Sequence, residues 1–270
     1  MSVVDDHEVS ARGTGNYQPV GDEVAIFASA WRCGLPVMLK GPTGCGKTRL
    51  VEHMAATLKV PLYTVCCHED ITASDLLGRF VLTDSTTEWV DGPLTRAVRE
   101  GGICYLDEIV EAHQDAIVAV HSLADHRREL NIERLGGLRL MAADGFQLVV
   151  SYNPGYQSLL KDLKMSTRQR LVAIDLGFPP PDVERRILLQ ESALSEDGID
   201  DIVRLGQAIR RVDDAGLREV ASTRTLITTA RLVHSGLPLR SAAIAAMVSP
   251  LTDDTEARAS LALLIDSYLA

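Results

Sequence analysis

The sequence predicts an α/β fold, in which a parallel β-sheet carries helices on both faces and is followed by a smaller all-helical domain. Short apolar segments before residue 178 alternate with amphipathic segments of helical period, as in doubly wound sheets. A glycine-rich turn joins the first apolar segment to a long amphipathic one, which is typical of a βαβ unit. Beyond Pro179, Pro180 and Pro181 every periodic segment is helical.

The individual elements follow in order. Asp22 precedes a helix that ends at Gly34, and a second helix follows the glycine-rich turn and runs to Leu58. Five buried strands are predicted at residues 35–39, 61–67, 103–106, 146–152 and 171–176. Two inserts interrupt this order as hairpins: residues 78–92, with a turn-like stretch at 83–87, and residues 128–141, with Gly136 and Gly137 near the turn.

The domain boundaries follow from the polar start and the three prolines. Residues 1–16 are predicted to form a mobile tail. Residues 17–178 form the α/β domain, and residues 179–270 form the helical domain. Three successive prolines continue neither helix nor strand, so they mark the linker.

Composition excludes several classes of protein. The chain has 37 acidic and 27 basic residues. The resulting formal net charge of −10 argues against binding of nucleic acid or an anionic membrane through a basic face. No apolar run reaches 18 residues, so no membrane span is expected, and the first residues lack the pattern of a secretory signal. Five cysteines, an odd number without a C-x-x-C pair, indicate a reducing cytoplasm rather than a disulfide framework or a metal site.

Residues 41–48, GPTGCGKT, match the phosphate-binding pattern G-x-x-x-x-G-K-T in full. The glycines allow a tight turn whose N–H groups point at phosphate oxygens, and the following helix directs its positive end to the same place. Lys47 is expected to reach the β- and γ-phosphates of a nucleotide, and the hydroxyl of Thr48 to bind Mg²⁺. A glycine-rich turn with a solvated lysine is the alternative.

Acidic and amide side chains follow two of the predicted strands. Asp107 and Glu108 end the segment ICYLDE, where Asp107 would hold Mg²⁺ and Glu108 would orient or deprotonate the attacking water. A helix cap is the alternative for this pair. Asn153 follows the strand QLVVSY and would hydrogen-bond the γ-phosphate and that water; an Asn-Pro turn is the alternative and is compatible with that role.

Three arginines complete the candidate site. Arg168 or Arg170, in the segment STRQR, would project into the nucleotide site of a neighbouring subunit and stabilise charge on the transferred phosphoryl group. Arg224 lies near a helix start in the second domain, from which it would reach the γ-phosphate as that domain closes. Exposed arginines with no catalytic role are the alternative in each case.

These segments together resemble the AAA+ ATPases of the MoxR group, and within it the CbbQ/NirQ/NorQ subfamily, from about Tyr17 to the end of the chain. Leu171 and Met165 depart from the residues usual there and leave the subfamily member open. The resemblance is carried by YQPVGDEV (17–24), LKGPTGCGKTR (39–49), TASDLLGRF (72–80), DGPLTRAVREG (91–101), ICYLDE (103–108), FQLVVSYNPGYQSLLKDLK (146–164) and STRQR (166–170).

The resemblance implies an AAA+ core with a helical lid, ATP and Mg²⁺ as ligands, and a ring that is usually hexameric. It makes Asp107 and Glu108 the Walker B pair, Asn153 sensor 1, Arg170 (with Arg168 as the alternative) the finger supplied in trans, and Arg224 sensor 2. The two inserts would face the central pore. The residues implied in nucleotide binding are Gly41, Pro42, Thr43, Gly44, Cys45, Gly46, Lys47, Thr48 and Arg49, together with Gln18, Pro19 and Val20 near the adenine.

The client stays open at this level. CbbQ-like members work with a von Willebrand-factor-A adaptor, CbbO, to release inhibitory sugar phosphates from Rubisco, and NorQ-like members work with a related adaptor, NorD, to activate a nitric oxide reductase. The resemblance favours Rubisco, with nitric oxide reductase as the alternative. Outside this family, a small-molecule P-loop kinase, a DNA-associated ATPase and a scaffold without hydrolysis are the competing hypotheses.

Overall fold

A computed structural model describes residues 17–83, 86–154, 163, 165–212 and 220–269. The chain divides into two compact units. Among the described residues, the first contains Tyr17, residues 21–41 and residues 47–176, and the second contains residues 18–20, 42–46 and 177–269. The predicted tail at residues 1–16 lies outside the described part of the chain, as do residues 84 and 85 of the turn-like stretch.

A five-stranded parallel sheet forms the centre of the first unit, as the apolar segments predict. Its strands are β1 (Val37–Lys40), β2 (Leu62–Cys66), β5 (Gly102–Asp107), β8 (Phe146–Tyr152) and β9 (Val172–Asp175). They lie in the order β2-β5-β8-β1-β9, and all four neighbouring pairs are parallel. The first strand therefore lies inside the sheet, between β8 and β9. The predicted strand ends differ from the observed ones by two residues at most.

Helices cover both faces of the sheet because alternate strand residues point to opposite sides. Val37, Leu39 and Tyr105 belong to one buried cluster, which includes residues of α1 (Glu23–Arg32) and α2 (Lys47–Leu58). Met38, Cys104 and Leu106 belong to the other cluster, which includes residues of α4 (Pro93–Glu100) and α5 (Gln114–Ala119). Two short helices, α3 (Ala73–Leu77) and α6 (Met165–Arg168), complete the described helices of this unit.

Two antiparallel hairpins extend from the first unit. One pairs β3 (Gly78–Thr83) with β4 (Thr86–Asp91), and the other pairs β6 (Glu129–Ile132) with β7 (Leu138–Met141). Gly136 and Gly137 both have positive φ between the strands of the second hairpin, where residues other than glycine are disfavoured. Arg128 anchors the base of this hairpin, because its guanidinium donates to the carbonyl oxygens of Gly34 and Phe146.

The second unit is helical beyond the prolines. Its helices are α7 (Pro181–Glu191), α8 (Glu196–Arg211), α9 (Thr223–His234), α10 (Leu239–Ala243), which continues as a π-helical turn (Ile244–Val248), and α11 (Thr255–Leu269). Pro181 is the first residue of α7, where its missing N–H has no helical partner to lose. Leu205, Leu226, Met247 and Ile265 meet in the core of this unit. In the described part of the chain, no helix combines the length and the apolar character that a membrane crossing requires.

Candidate nucleotide site

The carboxyl ends of neighbouring parallel strands bring three predicted site segments to one edge of the sheet. Gly41 follows β1, Asp107 ends β5, and Asn153 follows β8. Lys40 lies opposite Tyr152 in the register, and the Gly41 N–H donates to the Tyr152 carbonyl oxygen at 3.4 Å. Ligand sites of open α/β sheets lie at this edge.

Lys47, the first residue of α2, folds back over the start of the loop. Its side chain is 8% exposed, and its ammonium donates to the Gly41 carbonyl oxygen at 2.8 Å. A buried ammonium held by a neutral carbonyl is well placed to exchange that partner for a phosphate oxygen, since charge-assisted hydrogen bonds are stronger. Arg49, by contrast, is exposed and pairs loosely with Glu52 at 3.9 Å.

The loop residues 42–46 group with the second unit. Gly44 and Gly46 have φ of +75° and +107°, and the Cys45 N–H donates to the Pro42 carbonyl oxygen at 3.4 Å. A Cβ atom at Gly44 would lie 2.6 Å from Ser222 Oγ, so the loop approaches the start of α9 too closely for any side chain. Cys45 is buried and Thr43 is half-buried.

Arg224, the predicted sensor, lies in the first turn of α9. Its side chain is exposed, and its Cβ would be 3.3 Å from a Cβ atom added at Gly44. Ser222 caps the helix, because its hydroxyl accepts the Thr225 N–H at 3.3 Å. The cap fixes where the helix begins and so where Arg224 leaves the backbone.

Four oxygen-bearing side chains, including that of Asp107, form one cluster at this edge. The Tyr105 hydroxyl donates to Asp107 Oδ1 at 2.7 Å, and the Ser151 hydroxyl donates to the same atom. Thr48 Oγ1 lies 3.5 Å from the Tyr105 hydroxyl. Burial, and after it the charge of Asp107, raise the pKa of the Tyr105 phenol far above its ordinary value, so the phenol keeps its proton. Hydroxyl and carboxylate oxygens are the donors that Mg²⁺ prefers, so this set fits the cation.

Glu108 has the left-handed backbone conformation, with φ of 56° and ψ of 44°. A non-glycine residue pays about 1–2 kcal/mol for this conformation. The Ser151 hydroxyl stabilises it by accepting the Glu108 N–H at 3.1 Å, and a short 3-10 turn follows from Ile109. The Glu108 side chain is exposed. Local strain of this kind is concentrated at functional sites.

The remaining predicted residues lie in different surroundings. Asn153 is half-buried at the end of β8. Arg168 ends α6 and lies over the ring of Tyr152, with 5.4 Å between the guanidinium carbon and the ring centroid. Arg170, two residues later, is exposed.

Residues 18–20, which the resemblance places near the adenine, belong to the second unit. The Gln18 side-chain amide donates to Gln190 Oε1 of α7 at 3.1 Å, and Pro19 and Val20 are exposed. Contact with the base stays a prediction.

Sequence reasoning missed Tyr105 and Ser151. Both belong to strands that were interpreted from their apolar character alone, and both are fully buried. The sequence did contain a signal: a hydroxyl-bearing residue stands two positions before each polar residue at the strand ends, Tyr105 before Asp107 and Ser151 before Asn153.

Comparison with protein families matches both parts of the chain. A model described as AAA domain (dynein-related subfamily) matches residues 36–171. A second model, described as CbbQ/NirQ/NorQ C-terminal, matches residues 184–268. The first match includes the loop, both strand-end segments and both hairpins, and the second includes all of α8 and α9.

Similar proteins match over nearly their whole length. The denitrification regulatory protein NirQ of Stutzerimonas stutzeri is 56% identical over 91% of this chain and 89% of its own. Protein NorQ of Paracoccus denitrificans is 55% identical over 91% of this chain and 90% of its own. Protein CbbQ of Hydrogenophilus thermoluteolus is 48% identical over 91% of each chain.

A solved protein of Cytophaga hutchinsonii is similar in fold, with a TM-score of 0.50 and 19% identity over 93% of this chain and 89% of that one. Identity this low bears on the fold alone. The family models and the relatives carry the assignment, which agrees with the resemblance seen in the sequence. The chain belongs to the CbbQ/NirQ/NorQ subfamily of AAA+ ATPases.

Proposed function

We propose that this protein hydrolyses ATP to ADP and phosphate and uses the cycle to remodel a client protein. The observation that carries the proposal is that the hydroxyl of Thr48 and the carboxylate of Asp107 converge on one phenol, that of Tyr105, at 3.5 Å and 2.7 Å. This arrangement supports a cation site between the start of α2 and the end of β5, because the two proposed ligands come from different elements and are brought together only by folding.

Each residue has a role in this proposal. Bound Mg²⁺ would neutralise charge on the β- and γ-phosphates. Thr48 and Asp107 would hold it, and Lys47 would leave the Gly41 carbonyl for a phosphate oxygen. Glu108 would accept a proton from the attacking water, and Asn153 would orient that water. The left-handed backbone of Glu108 supports its role, because local strain of this kind is concentrated at functional sites.

Phosphate release by the purified protein tests the ATPase. Lys47→Ala is expected to abolish nucleotide binding, because it removes the cation that pairs with the phosphates. Lys59→Asn is the matched control: it removes an exposed lysine just beyond the other end of α2, at a left-handed position that suits asparagine. Turnover by Lys47→Ala at the wild-type rate would refute the assignment.

For the client we propose nitric oxide reductase, activated together with a von Willebrand-factor-A adaptor. The support is the order of similarity, since NirQ and NorQ are 56% and 55% identical to this chain and CbbQ is 48% identical. This order runs against the preference for Rubisco that the family resemblance suggested. The motifs belong to the ATP-dependent machinery, which all members of the subfamily share.

Rubisco is the second candidate, because the CbbQ likeness also covers 91% of each chain. Two parallel assays separate the clients. The protein, its adaptor and ATP are added either to inactive nitric oxide reductase or to inhibited Rubisco, and recovery of each enzyme is followed, with Lys47→Ala as the control in both. Recovery of Rubisco alone would overturn the first proposal in favour of the second.

We also propose that the protein acts in the cytoplasm as a ring of six subunits, the number usual in its family. Arg170 of each subunit would reach the nucleotide of a neighbour. A small-molecule kinase would need no arginine from a neighbour. A DNA-associated ATPase would show turnover stimulated by DNA at low salt, which the charge of −10 argues against.

A further inference from the structure

The Tyr105 hydroxyl lies at the centre of a cluster of oxygen atoms in an otherwise apolar layer. Tyr105 is fully buried, and its ring packs in the cluster that also holds Leu50, Val51 and Ile174. Its hydroxyl nevertheless reaches three polar side chains, with Asp107 Oδ1 at 2.7 Å, Ser151 Oγ at 3.2 Å and Thr48 Oγ1 at 3.5 Å.

The strand period explains why these groups meet. Residues two apart on a strand point to the same face, so Tyr105 and Asp107 share a face of β5. Tyr105 lies opposite Val149 of β8, so Ser151, two residues further along β8, shares that face and lies near Asp107. Thr48 joins the group from the first turn of α2.

Counting protons assigns a direction to each hydrogen bond. The phenol has one proton and directs it to Asp107 Oδ1, the nearer acceptor. The Ser151 hydroxyl donates to the same oxygen, while its own oxygen accepts the Glu108 N–H. Thr48 can then act only as a donor to the phenol oxygen. That direction leaves the lone pairs of Thr48 Oγ1 available for a cation.

Both donors to Asp107 reach Oδ1, so neither occupies Oδ2. The carboxylate is therefore fixed in rotation while one of its oxygen atoms stays available. Ser151 connects this carboxylate to the backbone of Glu108, and Glu108 is the residue proposed to accept a proton from the attacking water. One serine thus touches both the proposed cation ligand and the residue next to it.

We propose that Tyr105 and Ser151 are positioning residues that set the Mg²⁺ affinity of the nucleotide site. Tyr105 orients Asp107 and accepts the hydrogen bond of the Thr48 hydroxyl, and Ser151 orients Asp107 and holds Glu108 in its left-handed conformation. This inference rests on the proposed ATPase function and deepens it, because it assigns the cation affinity to two buried residues that hold the proposed ligands in place.

Equilibrium binding of a fluorescent ATP analogue, measured with Mg²⁺ and with EDTA, tests the proposal. Tyr105→Phe removes one hydroxyl and keeps the ring. We expect about a tenfold loss of affinity in Mg²⁺ and none in EDTA, as for one hydrogen bond to a charged group. Tyr63→Phe is the matched control, because its hydroxyl bonds to the exposed carboxylate of Glu100 at 2.6 Å. Equal Mg²⁺ dependence in Tyr105→Phe and wild type would overturn the inference.

Ser151→Ala provides an independent test, should Tyr105→Phe fail to fold. It is expected to weaken binding in Mg²⁺ alone, as above, and in addition to lower kcat, because Glu108 loses the partner of its N–H. A kcat and a Mg²⁺ dependence both equal to those of wild type would overturn the role of Ser151. Wild-type protein that binds no nucleotide would instead refute the proposed function itself, so the two failures are distinguishable.

Discussion

Removing Arg210 should selectively destabilise the helical unit. Glu184 of α7 is fully buried, and Arg210 of α8 forms a two-pronged ion pair with it, with nitrogen–oxygen distances of 2.7 Å and 2.9 Å. Arg210 also donates to the Ala221 carbonyl oxygen at 2.6 Å and stacks on Phe178, and Thr223 donates to Glu184 at 2.7 Å. One arginine therefore connects two helices to the start of a third.

The cost follows from the burial of the carboxylate. In Arg210→Met a side chain of similar length replaces the guanidinium, and the Glu184 charge keeps only neutral donors. Breaking a buried pair in this way costs about 3–5 kcal/mol. With a urea dependence of about 2 kcal/mol per molar, the unfolding midpoint of this unit falls by about 2 M. Because Glu184→Leu removes the stranded charge, the double variant should regain a large part of the loss.

The two units can be followed separately by spectroscopy. Both tryptophans of the chain, Trp31 and Trp89, belong to the first unit, so their fluorescence reports that unit alone, whereas circular dichroism at 222 nm reports the helices of both. Arg210→Met should shift to lower urea the part of the dichroism transition that comes from the second unit, and leave the fluorescence transition in place. A dichroism midpoint within about 0.5 M of wild type would refute the energetic argument, since that shift corresponds to about 1 kcal/mol.

Three further outcomes are expected. Glu108→Gln should bind ATP but hydrolyse it about 10²–10⁴ times more slowly, because the proton acceptor is lost, and normal phosphate release would contradict that role. When Arg170→Ala subunits are mixed with wild-type subunits, turnover should fall more steeply than the fraction of mutant subunits rises, and a proportional fall would argue against a shared site. The fall should be larger than with Arg168→Ala, because of these two arginines only Arg170 is exposed. Burial, and secondly the charge of Asp107, raise the pKa of the Cys67 thiol from 9.0 to about 12, so its thiolate fraction at pH 8 is about 10⁻⁴. Alkylation followed by mass spectrometry should therefore label the exposed Cys66 long before the buried Cys67.

The sheet could be predicted from the sequence because its signal is local. Continuous apolar runs mark strands that are buried on both faces, and 146–152 coincides with the observed β8. The strand order is not local in this sense. Pairing of β1 with β8 and β9 is a contact between segments more than a hundred residues apart, and no periodicity records it.

The buried ion pair could not be predicted for a related reason. Glu184 and Arg210 are 26 residues apart on two amphipathic helices, where charged residues ordinarily belong to the solvated face. Only the packing of α7 on α8 places both charges inside. Arg128 is similar, because its link to the Gly34 and Phe146 carbonyl oxygens spans three separate segments.

The sequence predicts those residues of the candidate site that belong to a chemical motif. It does not predict those that reach the site only through the packing of the sheet. Lys47, Thr48, Asp107 and Glu108 are recognisable because phosphate and cation binding demand those groups. Tyr105 and Ser151 satisfy the hydrophobic pattern well enough to be interpreted as core.

Three departures from ordinary local preference occur together where β5 and β8 end. Ser151 is a fully buried hydroxyl, Tyr105 places its hydroxyl inside an apolar layer, and Glu108 is a non-glycine residue in the left-handed region. Gln147 of β8 is also a buried polar residue, but its amide donates to the Leu35 carbonyl oxygen at the opposite end of the sheet. A single departure is therefore compatible with a structural role. Three that share hydrogen bonds around one carboxylate are better explained by function, because departures from local preference are concentrated at functional sites.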